Sequence, residues 1–76
     1  MPVQNRGNKI SFVYEARFIG ADLRDSQFFG TNLSEADLTG AGLTGADFSG
    51  TNVTLKQLEK AKSLQGATMP DGSKHP

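Results

Sequence analysis

The sequence predicts an all-β solenoid, a quadrilateral β-helix of about two to three coils followed by a short α-helix, and three observations carry that expectation. A large apolar residue recurs at every fifth place, at Phe18, Leu23, Phe28, Leu33, Leu38, Leu43, Phe48 and Val53. A small residue stands two places before each, at Ala16, Ala21, Ser26, Thr31, Ala36, Ala41, Ala46 and Thr51. Glycine then punctuates the pattern at Gly20, Gly30, Gly40, Gly45 and Gly50.

An α-helix repeats every 3.6 residues and would spread such a pattern around its whole circumference, so no apolar face would form. In an extended chain, side chains two apart point the same way, which turns the small and the large residue inward together. Five is odd, so the chain must bend once per repeat to recover its inward sense, and the glycines supply turn dihedrals that other residues resist. Four sides then close a coil of about 20 residues, with coils stacked at a strand spacing of roughly 4.8 Å. In that register Leu38 lies over Phe18, Leu43 over Leu23, Phe48 over Phe28, and Val53 over Leu33 and Val13. Thr51, Thr31 and Ser11 form a column able to hold a buried hydroxyl ladder.

Small residue, Asp or Asn, Leu or Phe, polar residue, Gly: repeats such as Ala-Asp-Leu-Thr-Gly and Ala-Asp-Phe-Ser-Gly resemble the pentapeptide-repeat family. The resemblance implies right-handed winding, which the period does not fix. A helix followed by Gly-Ala-Thr-Met-Pro-Asp-Gly also resembles the ends of pentapeptide-repeat proteins from cyanobacteria, which implies a small member of the cyanobacterial type.

Residues 1–10 read as a polar N-terminal arm or lead-in strand, 11–53 as the repeat coil, 54–62 as a capping helix, and 63–76 as a closing strand, turn and loose tail. In the repeat frame Phe12, Tyr14, Ile19 and Phe29 face outward, where the next coil shows Ser34, Thr39, Thr44 and Ser49. The first coil would therefore wear an apolar collar, which marks a contact site or is covered by an arm of the same chain. A slip of the frame at Val13 would instead bury Phe12 and Tyr14. Leu55, Leu58 and Ala61 fall at three-residue steps, and Thr54 with Gln57 has the spacing of a capping box. Such a helix would lay Leu55 and Leu58 over the open end of the solenoid as a lid. Leu64 and Met69, five apart with Ala67 between, suggest further sides beyond it.

The 76 residues contain no cysteine, hence no disulfide framework and no thiolate metal site. The chain shows no run of signal-peptide or membrane-spanning length, and we expect a cytoplasmic protein. Eight basic and eight acidic residues cancel, which argues against nucleic acid as a partner. Between Asp25 and Leu55 the only charges are acidic, at Asp25, Glu35, Asp37 and Asp47, while Lys56, Lys60, Lys62 and Lys74 follow.

Candidate chemical motifs are few. Gly40-Ala41-Gly42-Leu43-Thr44-Gly45 satisfies G-x-G-x-x-G but opens onto another repeat, not onto the helix a pyrophosphate requires. The sequons at Asn32 and Asn52 arise from the repeat itself, and His75, the single histidine, stands beside the chain end. Asp22, Asp37 and Asp47 face outward on different sides and line no cleft. Arg17 and Asp37, twenty apart, would stack on one wall and could pair, and Glu15 and Glu35 would stack with like charge. No nucleophile, base and orienting residue converge, and no cofactor or metal is expected. The reading is therefore a non-enzymatic protein-interaction or scaffold module whose partner is another protein. Two alternatives are a self-associating structural subunit and, by resemblance to large family members that imitate DNA and inhibit topoisomerases, a DNA mimic. The small size and zero net charge argue against the latter.

Overall fold

The computed structural model describes residues 5–9 and 17–76. The repeats wind as stacked coils with parallel pairing between residues twenty apart: Arg17 with Asp37, Asp22 with Gly42, and Gln27 with Asp47. On these sides the N–H of the inward apolar residue donates to the coil above, Phe18 to the Asp37 carbonyl at 2.8 Å, Leu23 to Gly42 at 2.9 Å and Phe28 to Asp47 at 2.8 Å. The return bonds run from Gly42 N–H to the Ala21 carbonyl and from Asp47 N–H to Ser26, each at 2.9 Å. These contacts are isolated bridges, not long strands, because a corner every five residues leaves one pairing residue per side.

The corners are hydrogen-bonded turns that begin on the large apolar residue. Ala21 N–H donates to Phe18 O, Ser26 to Leu23 O, and Thr31, Ala36, Ala41, Ala46 and Thr51 do the same to the apolar residue three before each. The third place of the turn takes positive φ throughout, 67° at Gly20 and 71° at Gly40, and also 60° at Asp25 and 64° at Glu35. That requirement is why glycine recurs there. At Gly45 a side chain would collide with the Asp25 carboxylate, so the coil that carries Asp25 at a corner is stacked under one that does not need the room.

Inside, the core is filled to the axis. Leu23, Phe28, Leu33, Leu38, Leu43 and Phe48 are completely buried, with Ala41, Ala46 and Ala67 between the walls. The Phe28 and Phe48 rings stack at 4.9 Å between centroids with 11° between planes, and Phe18 meets Phe28 edge-on at 6.2 Å. Of the expected hydroxyl column, Thr31 is buried, and Ser11 lies outside the described residues. So do Val13, Glu15 and Ala16.

The fourth side, carrying Leu33 and Val53, is built differently. Leu33 N–H donates not to a backbone carbonyl but to Asn52 Oδ1 at 2.7 Å, and Asn52 Nδ2 donates to Asn32 Oδ1 at 2.9 Å and Ser34 Oγ at 3.0 Å. Side-chain amides thus replace the backbone ladder on this wall.

Both ends depart from the sequence expectation. At the N-terminal end Asn5 N–H donates to Asp22 O and Gly7 N–H to Arg24 O, each at 3.0 Å, and Lys9 pairs in parallel with Gln27. Residues 5–9 are therefore a paired side of the coil, which is the lead-in strand of the two readings and not the irregular arm. Lys9 stands where a strict twenty-residue step from Gln27 puts Gly7, so its register on the coil above differs by two residues from that of the later coils. At the other end α1 spans Leu55–Glu59, shorter than the 54–62 expected, with both halves of the Thr54–Gln57 capping box formed. It is not a lid. It takes the place of one side of a third coil, stacked above Leu38: Gly40 N–H donates to Lys60 O at 2.8 Å, and Gln57 Nε2 donates to Leu33 O at 2.8 Å and Ala36 O at 3.0 Å. Tied down in this way, α1 turns Leu58 into the core at 2% exposure and leaves Leu55, at its first turn, 71% exposed.

A helix advances about 1.5 Å per residue against about 3.3 Å for a strand, so spanning a side consumes more chain. Beyond α1 the step accordingly becomes 21, with Ser63 over Gly42 and Thr68 over Asp47. Leu64 and Met69 resume the inward columns. The tail then folds back antiparallel on this last side: Met69 N–H donates to Ser73 O at 2.7 Å, Gly66 N–H to His75 O and His75 N–H to Ala67 O at 2.8 Å. Residues 73–76 are thus no loose tail. They pair the strand edge that a further coil would otherwise cover.

Candidate functional site

With the interior filled, whatever this chain recognises must meet its walls, corners or ends. The walls are ordered by the second residue of each repeat. Asp22, Asn32, Asp37, Asp47 and Asp71 each turn Oδ1 back to accept the N–H two residues on, at 3.3, 2.9, 3.0, 2.9 and 2.9 Å. Thr39 and Ser73 hydroxyls donate to the same carboxylates at 2.6 and 2.7 Å. The acidic side chains are therefore turn clamps, a role absent from the sequence reading although the spacing Asp/Asn-x-Ser/Thr announces it. The sequons at Asn32 and Asn52 are this spacing.

These bonds favour the charged carboxylate. Asp22 is lowered to about 2, first by the hydrogen bonds from Arg24, which is in turn raised by Asp22. Asp37, Asp47 and Asp71 are lowered chiefly by their Thr39, Ser49 and Ser73 partners. Arg24 Nε and Nη2 both reach Asp22 at 2.9 Å, the single ion pair among the described residues. Arg17 and Asp37 do stack on one wall, but the Asp37 carboxylate is engaged by Thr39 and the expected pair does not form.

The outward corner residues carry the apolar surface. Phe29 is 64% and Ile19 46% exposed. They occupy turns two sides apart, hence opposite corners of one coil, so they present separate points and not a continuous band. Phe12 and Tyr14, the other members of the expected collar, lie outside the described residues. A third exposed apolar residue, Leu55, missed because it was assigned to the cap, stands at the C-terminal end. There Val53, Leu55, Leu58, Met69 and Pro70 line an open groove of about 350 Å³.

No group of acidic or histidine side chains among the described residues could hold a metal ion. Gly45, the last glycine of the G-x-G-x-x-G match, sits in a turn at φ 74° and opens no helix, while Gly42 leaves a shallow wall notch beside Arg24, Lys62 and Ser63. His75 is exposed, with Nδ1 against the Pro76 carbonyl. No described helix is long and apolar enough to cross a membrane.

A four-walled solenoid with a solid core and clamped polar walls defines a repeat protein. Residues 16–54, just over half the chain, match the family model for pentapeptide repeats in eight copies, and the chain belongs to that family. Its fold is similar to the crystal structure of HetL, a pentapeptide repeat protein involved in heterocyst differentiation regulation in the cyanobacterium Nostoc sp. strain PCC 7120. The TM-score is 0.78 at 32% identity, over 95% of this chain and 36% of HetL, so the chain spans about a third of that protein's length. Family and likeness together imply a right-handed β-helix. None of the curated proteins matches.

Proposed function

We propose that this chain is a small non-enzymatic protein-docking module, a rigid post that presents apolar points on polar walls. The observation that carries the reading is Phe29, an aromatic side chain left 64% exposed on a corner whose backbone is locked by a turn and by the coil above. Aromatic anchors held without conformational freedom are what protein interfaces favour. Docking is favoured over DNA mimicry because the eight acidic residues are balanced by eight basic ones, so the chain lacks the net negative charge of a duplex. Likeness to HetL, a protein involved in regulation, supports a regulatory role exercised through contact and not through chemistry.

Affinity capture from native cell extract tests this with wild type and Phe29→Ser, the serine matching Ser49 one coil above. The reading expects a partner retained in stoichiometric amount by wild type and lost by Phe29→Ser, with both proteins giving the same circular dichroism spectrum. Equal capture by the two removes Phe29 from any binding surface and overturns the reading. A sedimentation coefficient that rises with concentration, and returns to the monomer value in Phe29→Ser, would instead identify a self-associating subunit.

A further inference from the structure

The bonds that join the second coil to the third have counterparts on the third coil's own outer edge. Gly45 N–H donates to Gln65 O at 3.0 Å, Phe48 N–H donates to Thr68 O at 2.8 Å, and Ala46 O accepts from Thr68 N–H at 2.8 Å. Gly66, Met69 and Ala67 hold the same three places one step of 21 residues on, the step that sets Thr68 over Asp47. The returning tail meets all three: Gly66 N–H donates to His75 O at 2.8 Å, Met69 N–H donates to Ser73 O at 2.7 Å, and Ala67 O accepts from His75 N–H at 2.8 Å. The coils pair in parallel, but the tail runs antiparallel, with Lys74 opposite Thr68. Its side chains contribute little to holding it. Ser73, Lys74, His75 and Pro76 are exposed, and none of them forms an ion pair among the described residues. The turn before them rests on Asp71 Oδ1, which accepts the Ser73 N–H at 2.9 Å and the Ser73 hydroxyl at 2.7 Å.

We propose that residues 73–76 are a strap that keeps this edge from pairing with another chain, and that opening the strap joins residues 67–69 to the same edge of a second copy. An uncovered edge is a template for association, and here both of its donors and its acceptor are occupied from within the chain. The tail's direction points to the occupant that replaces it. An edge that accepts an antiparallel strand can pair with itself about a twofold axis, here one passing beside Thr68. A strap held by three backbone bonds and one turn, with no buried side chain, belongs to the part of a fold that opens locally while the core stays shut. The inference is independent of the Phe29 corner and goes beyond the docking role argued there.

Amide hydrogen exchange and sedimentation velocity of the whole chain test this. His75→Pro deletes the donor to Ala67 O and sets a ring against the edge. At low concentration its Gly66 amide should exchange about tenfold faster than in wild type. Raising the concentration should restore that protection and increase the sedimentation coefficient together. Asp71→Ala, which loosens the return turn without touching a strand bond, should do the same more weakly. Thr68→Lys added to His75→Pro sets like charges across the twofold axis, and should return the sedimentation coefficient to the monomer value while the Gly66 amide stays open. Phe29→Ser added to His75→Pro should leave the association unchanged, so failure here and failure of the Phe29 surface are distinguishable. Unchanged Gly66 exchange in both tail variants, or an open Gly66 amide with no association at millimolar His75→Pro, overturns the proposal. Association that survives Thr68→Lys, or that Phe29→Ser abolishes, also overturns it.

Discussion

Asp22, Asn32, Asp37 and Asp47, each standing before an inward apolar residue, hold their corners in shape by accepting the N–H two residues on. Because folding lowers the carboxylate pKa values, the sign of the pH dependence is fixed. The associated stability is fully present above the unfolded carboxylate value of about 4 and is lost as pH falls toward the folded values, about 2 for Asp22. Asp47→Asn keeps the Oδ1 acceptor and removes the titration. Its Tm at pH 7 should stay near wild type while its loss as pH falls below about 4 becomes shallower. Asp47→Ala, without the acceptor, should already have a lower Tm at neutral pH. At the other end of the turn Glu35 holds φ 64° with no glycine to ease it. Glu35→Gly should relieve left-handed strain by more than it adds to unfolded-chain entropy, raising stability by about 0.5–1 kcal/mol in thermal melts. The recurring glycines made the corners legible in the sequence. The turn clamp was equally legible in Asp37-Leu38-Thr39 and Asp47-Phe48-Ser49, but an outward acid reads as surface charge until its backbone partner is seen.

Among the elements, α1 separates what local pattern specifies from what tertiary packing decides. Thr54 and Gln57 announced the start of the helix, and the capping box is formed as the spacing requires. The pattern lays both Leu55 and Leu58 over the end of the coil, but only Leu58 faces the core, because Gln57 bonds down to Leu33 and Ala36 and fixes how the helix is turned. Leu58→Ala should therefore cost about 2–5 kcal/mol, while Leu55→Ala should change stability by no more than about 0.5 kcal/mol in denaturant melts. Equal effects of the two would contradict the placement of α1 as a side of the coil. The returning tail was not legible, because its three backbone bonds to the last side use no side chain that a sequence pattern could mark. The two-residue shift near the N-terminus was hidden for a similar reason: Asn5-Arg6-Gly7-Asn8 makes the same turn as a repeat, with Gly7 at φ 74°, but lacks the apolar residue that would have set its frame.

At the scale of the whole molecule, the column of side chains twenty apart explains why so short a chain can fold without disulfide or metal. Leu38, Leu43 and Phe48 are each enclosed by a large residue above, one below and the opposite walls, and Phe28 and Phe48 stack ring on ring within that core. This register was readable from periodicity alone, since every apolar residue then met another. Of the surface, Ile19 and Phe29 were legible as outward from the same frame and are exposed, whereas the exposure of Leu55 depends on how α1 is seated and was not. Two-dimensional NOE spectroscopy of the folded chain tests the register most directly. The account predicts ring-to-ring cross-peaks between Phe28 and Phe48, as their 4.9 Å separation requires, with methyl contacts between Leu23 and Leu43 beside them. A spectrum showing instead helical contacts among Phe28, Leu33 and Leu38, with none between residues twenty apart, would contradict it.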